Sequence, residues 1–140
     1  MSDEQSANLE LTKLAQSLMP FTRQLGLEVL EGGPERVIAR THWAPDRCTT
    51  GSVLHGGFLM AVADSVGAAC AGFNLPSGAL ASTIESKTNF FRAVNEGEIR
   101  VASAPVHVGR TTIVIQTDIT RADGKLVSRT TQTQSVIPGR

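Results

Sequence analysis

Apolar residues recur along this chain in two rhythms, and the change from one to the other marks the elements. From about Asn8 to Met19, the residues Leu9, Leu11, Leu14, Ala15 and Leu18 fall near helical spacing, and Pro20 stops the helix they predict. Phe21 to Gly26 reads as an irregular turn. Leu27 to Leu30 and Arg36 to Trp43 predict a strand pair turned at Gly32-Gly33-Pro34. Ala44-Pro45-Asp46 opens a loop that runs to about Leu54. Gly56 to about Gly72 is apolar nearly all round, which predicts a long helix enclosed by other structure rather than lying on a surface. After a loop from Asn74 to Gly78, Leu80 to Phe91 shows a two-residue period. Leu80, Ile84 and Phe90 fall on one face of that strand; Thr83, Glu85, Lys87 and Asn89 fall on the other. Asn95-Glu96-Gly97 predicts a turn, Ile99 to Val108 and Thr111 to Thr120 two strands, Asp123-Gly124 a hairpin, and Lys125 to Ile137 the last strand.

The order is thus helix, two strands, long helix, four strands. Consecutive strands joined by tight turns predict an antiparallel sheet, with the apolar helix against one face, an α+β arrangement. No repeat, linker or low-complexity segment divides the chain. One sheet cannot surround a helix, so a second copy is expected to cover the rest and a homodimer is the minimum assembly.

Bulk composition narrows the function classes. At 140 residues the chain is one domain that can bury a real core, and 41% hydrophobic with 19% charged residues is ordinary for a soluble fold. Thirteen basic residues balance thirteen acidic ones, so no global field steers the chain to nucleic acid or membrane. The polar, acidic start, Met1 to Glu10, has no signal-peptide pattern, and the longest weakly polar stretch carries His55, Asp64 and several glycines, which argues against a membrane span. Cys48 and Cys70 lack metal-ligand spacing, and Cys70 reads as a small buried hydrophobe; the expected setting is the reducing cytoplasm. Three scattered histidines argue against a metal site, with His42 and His107 read as strand or loop residues. A Cys48–His55 nucleophile pair has nothing beside it to lower the thiol pKa.

One residue interrupts the pattern. Asp64 is the only formally charged residue between Arg47 and Glu85, and it lies inside the apolar helix. An uncompensated carboxylate in such surroundings costs several kcal/mol. Its neighbours one turn away, Met60, Ala61, Gly67 and Ala68, offer no partner, so compensation must come from another element or subunit. Gly67 and Ala68 leave room beside it. Gly56 lies eight residues earlier, about 12 Å along the axis, beyond the reach of the helix dipole. His55-Gly56-Gly57 opens the helix with backbone N–H groups unpaired within it, a site for an oxyanion or carbonyl. A twofold axis that brings one chain's helix start to the other's Asp64 makes a constellation suited to acyl transfer to water. The carbonyl lies on the Gly57 or Gly56 N–H, and Asp64 attacks or activates water.

His-Gly-Gly with a carboxylate nine residues after the histidine resembles the hotdog-fold acyl-CoA thioesterases of the phenylacetate-degradation (PaaI-like) group. Pro20 to Gly26, Thr83 to Val94, Val108-Gly109-Arg110 and Asp123 to Val127 extend the resemblance over roughly Pro20 to Ile137, leaving residues 1–19 as an N-terminal helix and extension to a 20–140 domain. The resemblance implies a hotdog fold, an antiparallel sheet wrapped around a long central helix. It implies thioester hydrolysis without a cofactor, coenzyme A being part of the substrate, and a homodimer or a dimer-of-dimers tetramer. It implies that Asp64 is the catalytic carboxylate, that Gly57 or Gly56 polarises the carbonyl, that His55 positions the helix start or the thioester, and that Thr83 helps hold the water. Arg110, and less directly Lys87 and Arg92, are the implied contacts of the coenzyme A phosphates. Phe58, Met60, Phe73 and Phe90 are candidate walls of the acyl pocket and equally good core. Thr49 stands where many members carry Asn or Gln, and a hydroxyl lacks the reach of an amide. Rival readings are a non-catalytic acyl-CoA binding module, a hydratase or dehydratase of the same fold, and a purely structural oligomer. Each residue also has a plain reading: close packing for Gly56 and Gly57, helix entry for His55, a strand threonine for Thr83, a solvated surface for Arg110.

Overall fold

The computed structural model describes residues 5–139. Helix α1 (Leu9–Leu18) starts where Asn8 caps it, the side chain accepting from Leu11 N–H at 3.0 Å. Its Thr12 Oγ1 accepts from Val29 N–H at 2.9 Å and fastens α1 to strand β1. The segment expected as an irregular turn contains a one-turn helix, α2 (Phe21–Gln24), closed by Gly26 at φ +65°. Strands β1 (Glu28–Gly32) and β2 (Val37–His42) form the predicted hairpin. The loop after β2 holds one 3-10 turn, Pro45–Arg47, and leads into α3 (Gly56–Gly72). Strands β3 (Leu80–Phe90), β4 (Glu98–Val108), β5 (Thr112–Arg121) and β6 (Leu126–Ile137) complete the chain.

All six strands lie in one antiparallel sheet of order β1-β2-β4-β5-β6-β3, the hotdog arrangement expected. Strands β3 and β4 are consecutive in the chain yet do not pair. The chain crosses from β3 at one edge to β4 inside the sheet, and β3 takes β6 as its neighbour. Strict neighbour pairing therefore fails at the Asn95–Gly97 turn, which leads into β4 without closing a hairpin. Helix α3 packs on one face of the sheet, where Ile99, Val101, Ile113, Ile115, Ile119 and Val127 bury completely against Val62, Ala63, Cys70 and Ala71. Burying such side chains supplies roughly 1.5–3 kcal/mol each.

As expected where one sheet alone covers a helix, a stripe of α3 is open within one chain: Gly57, Met60, Asp64 and Gly72 are exposed, with Ala61 and Ala68 partly so. One expectation needs correction, the faces of β3. A β-bulge between Thr83 and Glu85 inserts an extra residue, Ile84, and resets the alternation. Thr83 therefore faces α3 along with Thr88 and Phe90, while Glu85, Lys87 and Asn89 lie on the other side. Among the described residues, no helix is long and apolar enough to cross a membrane.

Candidate active site

Asp64 is exposed on the open stripe of α3, and its compensation comes from the sheet. Gln132, fully buried on β6, donates from Nε2 to Asp64 Oδ1 at 2.6 Å. Thr83 Oγ1 lies 3.5 Å from the same oxygen and 3.3 Å from Gln132 Nε2, so three side chains from three elements converge. A charge-assisted bond of this kind is worth about 1.5–3 kcal/mol. No described residue bonds Asp64 Oδ2, which is left for a ligand or water. The amide fixes one of the two carboxylate oxygens.

Gly67 explains how the amide gets there. A Cβ at Gly67 would overlap Gln132 Oε1 and lie 3.3 Å from Thr117 Oγ1. The space that the sequence shows beside Asp64 is thus filled by a side chain of the same chain. Gln132 and its role escape a reading of residues near Asp64 in sequence. The signal available was the inward parity of β6, where Thr130, Gln132 and Gln134 are polar and buried at 1%, 0% and 1% exposure. Polar side chains on the buried face of a strand call for partners.

The start of α3 departs from expectation. His55 caps the helix: its Nδ1 accepts from Gly57 N–H at 2.7 Å, so that amide is occupied. Among the described residues none accepts from Gly56 N–H or Phe58 N–H. Gly56 is packed by Phe90, whose ring would lie 3.3 Å from an added Cβ. A depression lined by Phe21, Arg47, His55, Gly57 and Phe58 sits here. Arg47 is held over the Phe58 ring at 5.3 Å while donating to Thr41 Oγ1 and His42 O. Asp64 and Gly57 lie seven residues apart, about 10 Å along one helix. One chain therefore does not bring the helix start and the carboxylate to one atom.

The remaining expected residues are scattered in the single chain. Thr49 is exposed in the loop, its N–H bonded to Val53 O at 2.8 Å, with no side-chain bond to Asp64, Thr83 or Gln132. Arg110 is exposed at the β4–β5 turn. Lys87 lies on the sheet face away from α3, paired with exposed Thr131. Arg92 donates to Leu126 O at 2.8 Å and braces the end of β3. Met60 and Phe73 are exposed at 39% and 42%, Phe58 only partly so. Cys70 is buried against the sheet, which pushes its thiol pKa up to about 11.

The family model of the thioesterase superfamily matches residues 51–128, the span from the helix approach to β6. The chain belongs to the thioesterase superfamily. Its class, thioester hydrolase, is the one the sequence led us to expect. Among relatives, this superfamily member is 31% identical over 114 residues to the esterase candidate ComA2 of Bacillus subtilis, covering 81% of this chain and 90% of that protein. Thioesterase HI1161 of Haemophilus influenzae superposes with a TM-score of 0.84 at 28% identity, over 94% of this chain and 92% of that one. A mutant of the phenylacetic acid degradation protein PaaI of Thermus thermophilus superposes at 0.76, also 28% identical, over 83% and 97%. These likenesses bear out the PaaI-like resemblance.

Proposed function

We propose that this thioester hydrolase cleaves acyl-CoA to free acid and coenzyme A at a site shared by two copies of the chain. The observation that carries the proposal is the Gln132–Asp64 bond of 2.6 Å, which leaves Oδ2 free on the open stripe of α3. In the general-base form, Asp64 takes a proton from water as its oxygen attacks the thioester carbon. The C–S bond then breaks, and the proton passes to the departing thiolate. In the nucleophilic form, Oδ2 attacks the carbon, thiolate leaves, and water hydrolyses the resulting anhydride. Thr83 beside the carboxylate suits a role in holding the water.

A second copy supplies the electrophilic side. Its helix start would place Gly56 N–H against the carbonyl oxygen at once, and Gly57 N–H after His55 Nδ1 swings off it. Two features support this assembly: the open stripe of α3, and the edge strand β3 with exposed Leu80, Ile84 and Phe90, followed by exposed Phe91. The coenzyme A phosphates would then meet Arg110, with Lys87 and Arg92 as further candidates. The same chemistry fits either a dimer or a tetramer, acting in the cytoplasm.

Asp64→Asn keeps the shape and removes the charge. Thiol release, followed with a thiol-reactive dye, is expected to fall by orders of magnitude while the circular-dichroism spectrum and melting point hold. Turnover near wild type in that variant removes Asp64 from the reaction. A non-catalytic binding module is favoured by Thr49 alone, and binding of acyl-CoA without thiol release by the wild-type protein would establish it.

A further inference from the structure

Beside Asp64 the chain contains a cavity of about 530 Å³, within the range of small-molecule sites. Leu11, Leu14 and Leu18 of α1 form one wall; Ala68 and Phe73 of α3 and Leu80 of β3 form others. Ala68 lies one helical turn beyond Asp64, and Thr83 both lines the cavity and approaches the carboxylate, so one side chain borders both spaces. The lining is apolar except at its inner end, where Thr83 and Gln134 sit as cross-strand partners. Gln134 is 1% exposed; its Nε2 has no hydrogen-bond partner among the described residues and is closed to solvent, so a ligand meets it once the amide turns toward the cavity. An unpaired buried amide costs about 1–3 kcal/mol, and a site that keeps one gains most from a ligand that completes it.

We propose that this cavity receives the acyl group and that Gln134 selects acyl groups carrying a hydroxyl. The proposal rests on the reading of Asp64 as the hydrolytic carboxylate. An amide donates through one atom and accepts through the other, and a hydroxyl can meet either. Gln132, at the carboxylate, and Gln134 lie on one face of β6 two residues apart, about 7 Å. That span corresponds to roughly five carbon–carbon bonds of about 1.5 Å. The matching substrate is a medium-length acyl chain hydroxylated near its end. A purely aliphatic chain of that length fills the apolar walls and leaves the amide unpaired.

The test compares 6-hydroxyhexanoyl-CoA with heptanoyl-CoA, which differ by hydroxyl against methyl. The wild-type kcat/KM is expected to favour the hydroxylated substrate by about tenfold, one buried hydrogen bond's worth. Gln134→Leu is expected to abolish or invert that ratio. A wild-type ratio at or below one, or a ratio that Gln134→Leu leaves unmoved, overturns the proposal. Should Gln134→Leu fail to fold, Leu14→Trp, on the exposed wall, narrows the cavity. Its heptanoyl-to-acetyl kcat/KM ratio is expected to fall at least tenfold, and an unchanged ratio overturns the assignment of the cavity. If neither thioester releases thiol, hydrolysis itself has failed, and calorimetric titration with the two free acids decides this inference separately. Tighter binding of 6-hydroxyhexanoate than of heptanoate supports it; equal binding, or none, overturns it.

Discussion

At the scale of single residues, the geometry at Asp64 depends on a glycine and a glutamine. Gly67 lacks the atom that would displace Gln132, and Gln132 fixes one oxygen of Asp64. Gly67→Ala must push the amide away from α3. We expect a loss of about 1–3 kcal/mol in thermal or urea unfolding from overpacking, together with a fall in kcat at nearly unchanged KM. Gln132→Leu removes the bond and keeps the volume. Its kcat is expected to drop about tenfold to a hundredfold at nearly unchanged KM, because the carboxylate is no longer held in place. A structural role alone would lower stability without that split between kcat and KM.

At the scale of elements, α3 meets the sheet over a surface that is partly polar by construction. Ser103, Thr117, Thr130 and Thr88 are cross-strand partners in one row through β4, β5, β6 and β3. Their hydroxyls pair at 2.6 Å between Ser103 and Thr117 and at 2.7 Å between Thr88 and Thr130. The docking of α3 on this row can be read through Cys70, buried on its sheet side with a thiol pKa near 11. Alkylation at pH 8 is expected to modify half-buried Cys48 and spare Cys70 until α3 leaves the sheet, as intact-mass measurement would show. The extent and order of the elements were legible in the sequence, since α3 is one long apolar run opened by glycines and most strands keep a period of 2. Asp64 was legible too, as the lone charge in an apolar run. Gln132 was not, because it is separated from Asp64 by 68 residues and reaches it only through the pairing of β6. The bulge in β3 was equally hidden: period counting assumes uniform alternation, and one extra residue inverts every face after it.

At the scale of the whole molecule, the single chain holds both halves of the proposed reaction centre about 10 Å apart on one helix, and symmetry offers a way to join them. Complementation tests this directly. Asp64→Asn and Gly57→Val chains, each inactive alone, are co-refolded in equal amounts. Half of the dimers are then mixed, and each mixed dimer holds one intact site of two, so about a quarter of wild-type turnover should return. Absence of recovery, with mixed dimers demonstrated by mass spectrometry, would place the whole centre within one chain.

The extra residue in β3 also has an evolutionary reading. Because the alternation restarts after Ile84, Thr83 and the stretch from Glu85 to Phe90 take their orientation from separate registers. Exchanges that reshape the aromatic wall against Gly56 need not disturb the hydroxyl at the carboxylate. One strand can therefore drift toward new substrates at its far end while its near end stays committed to the same chemistry.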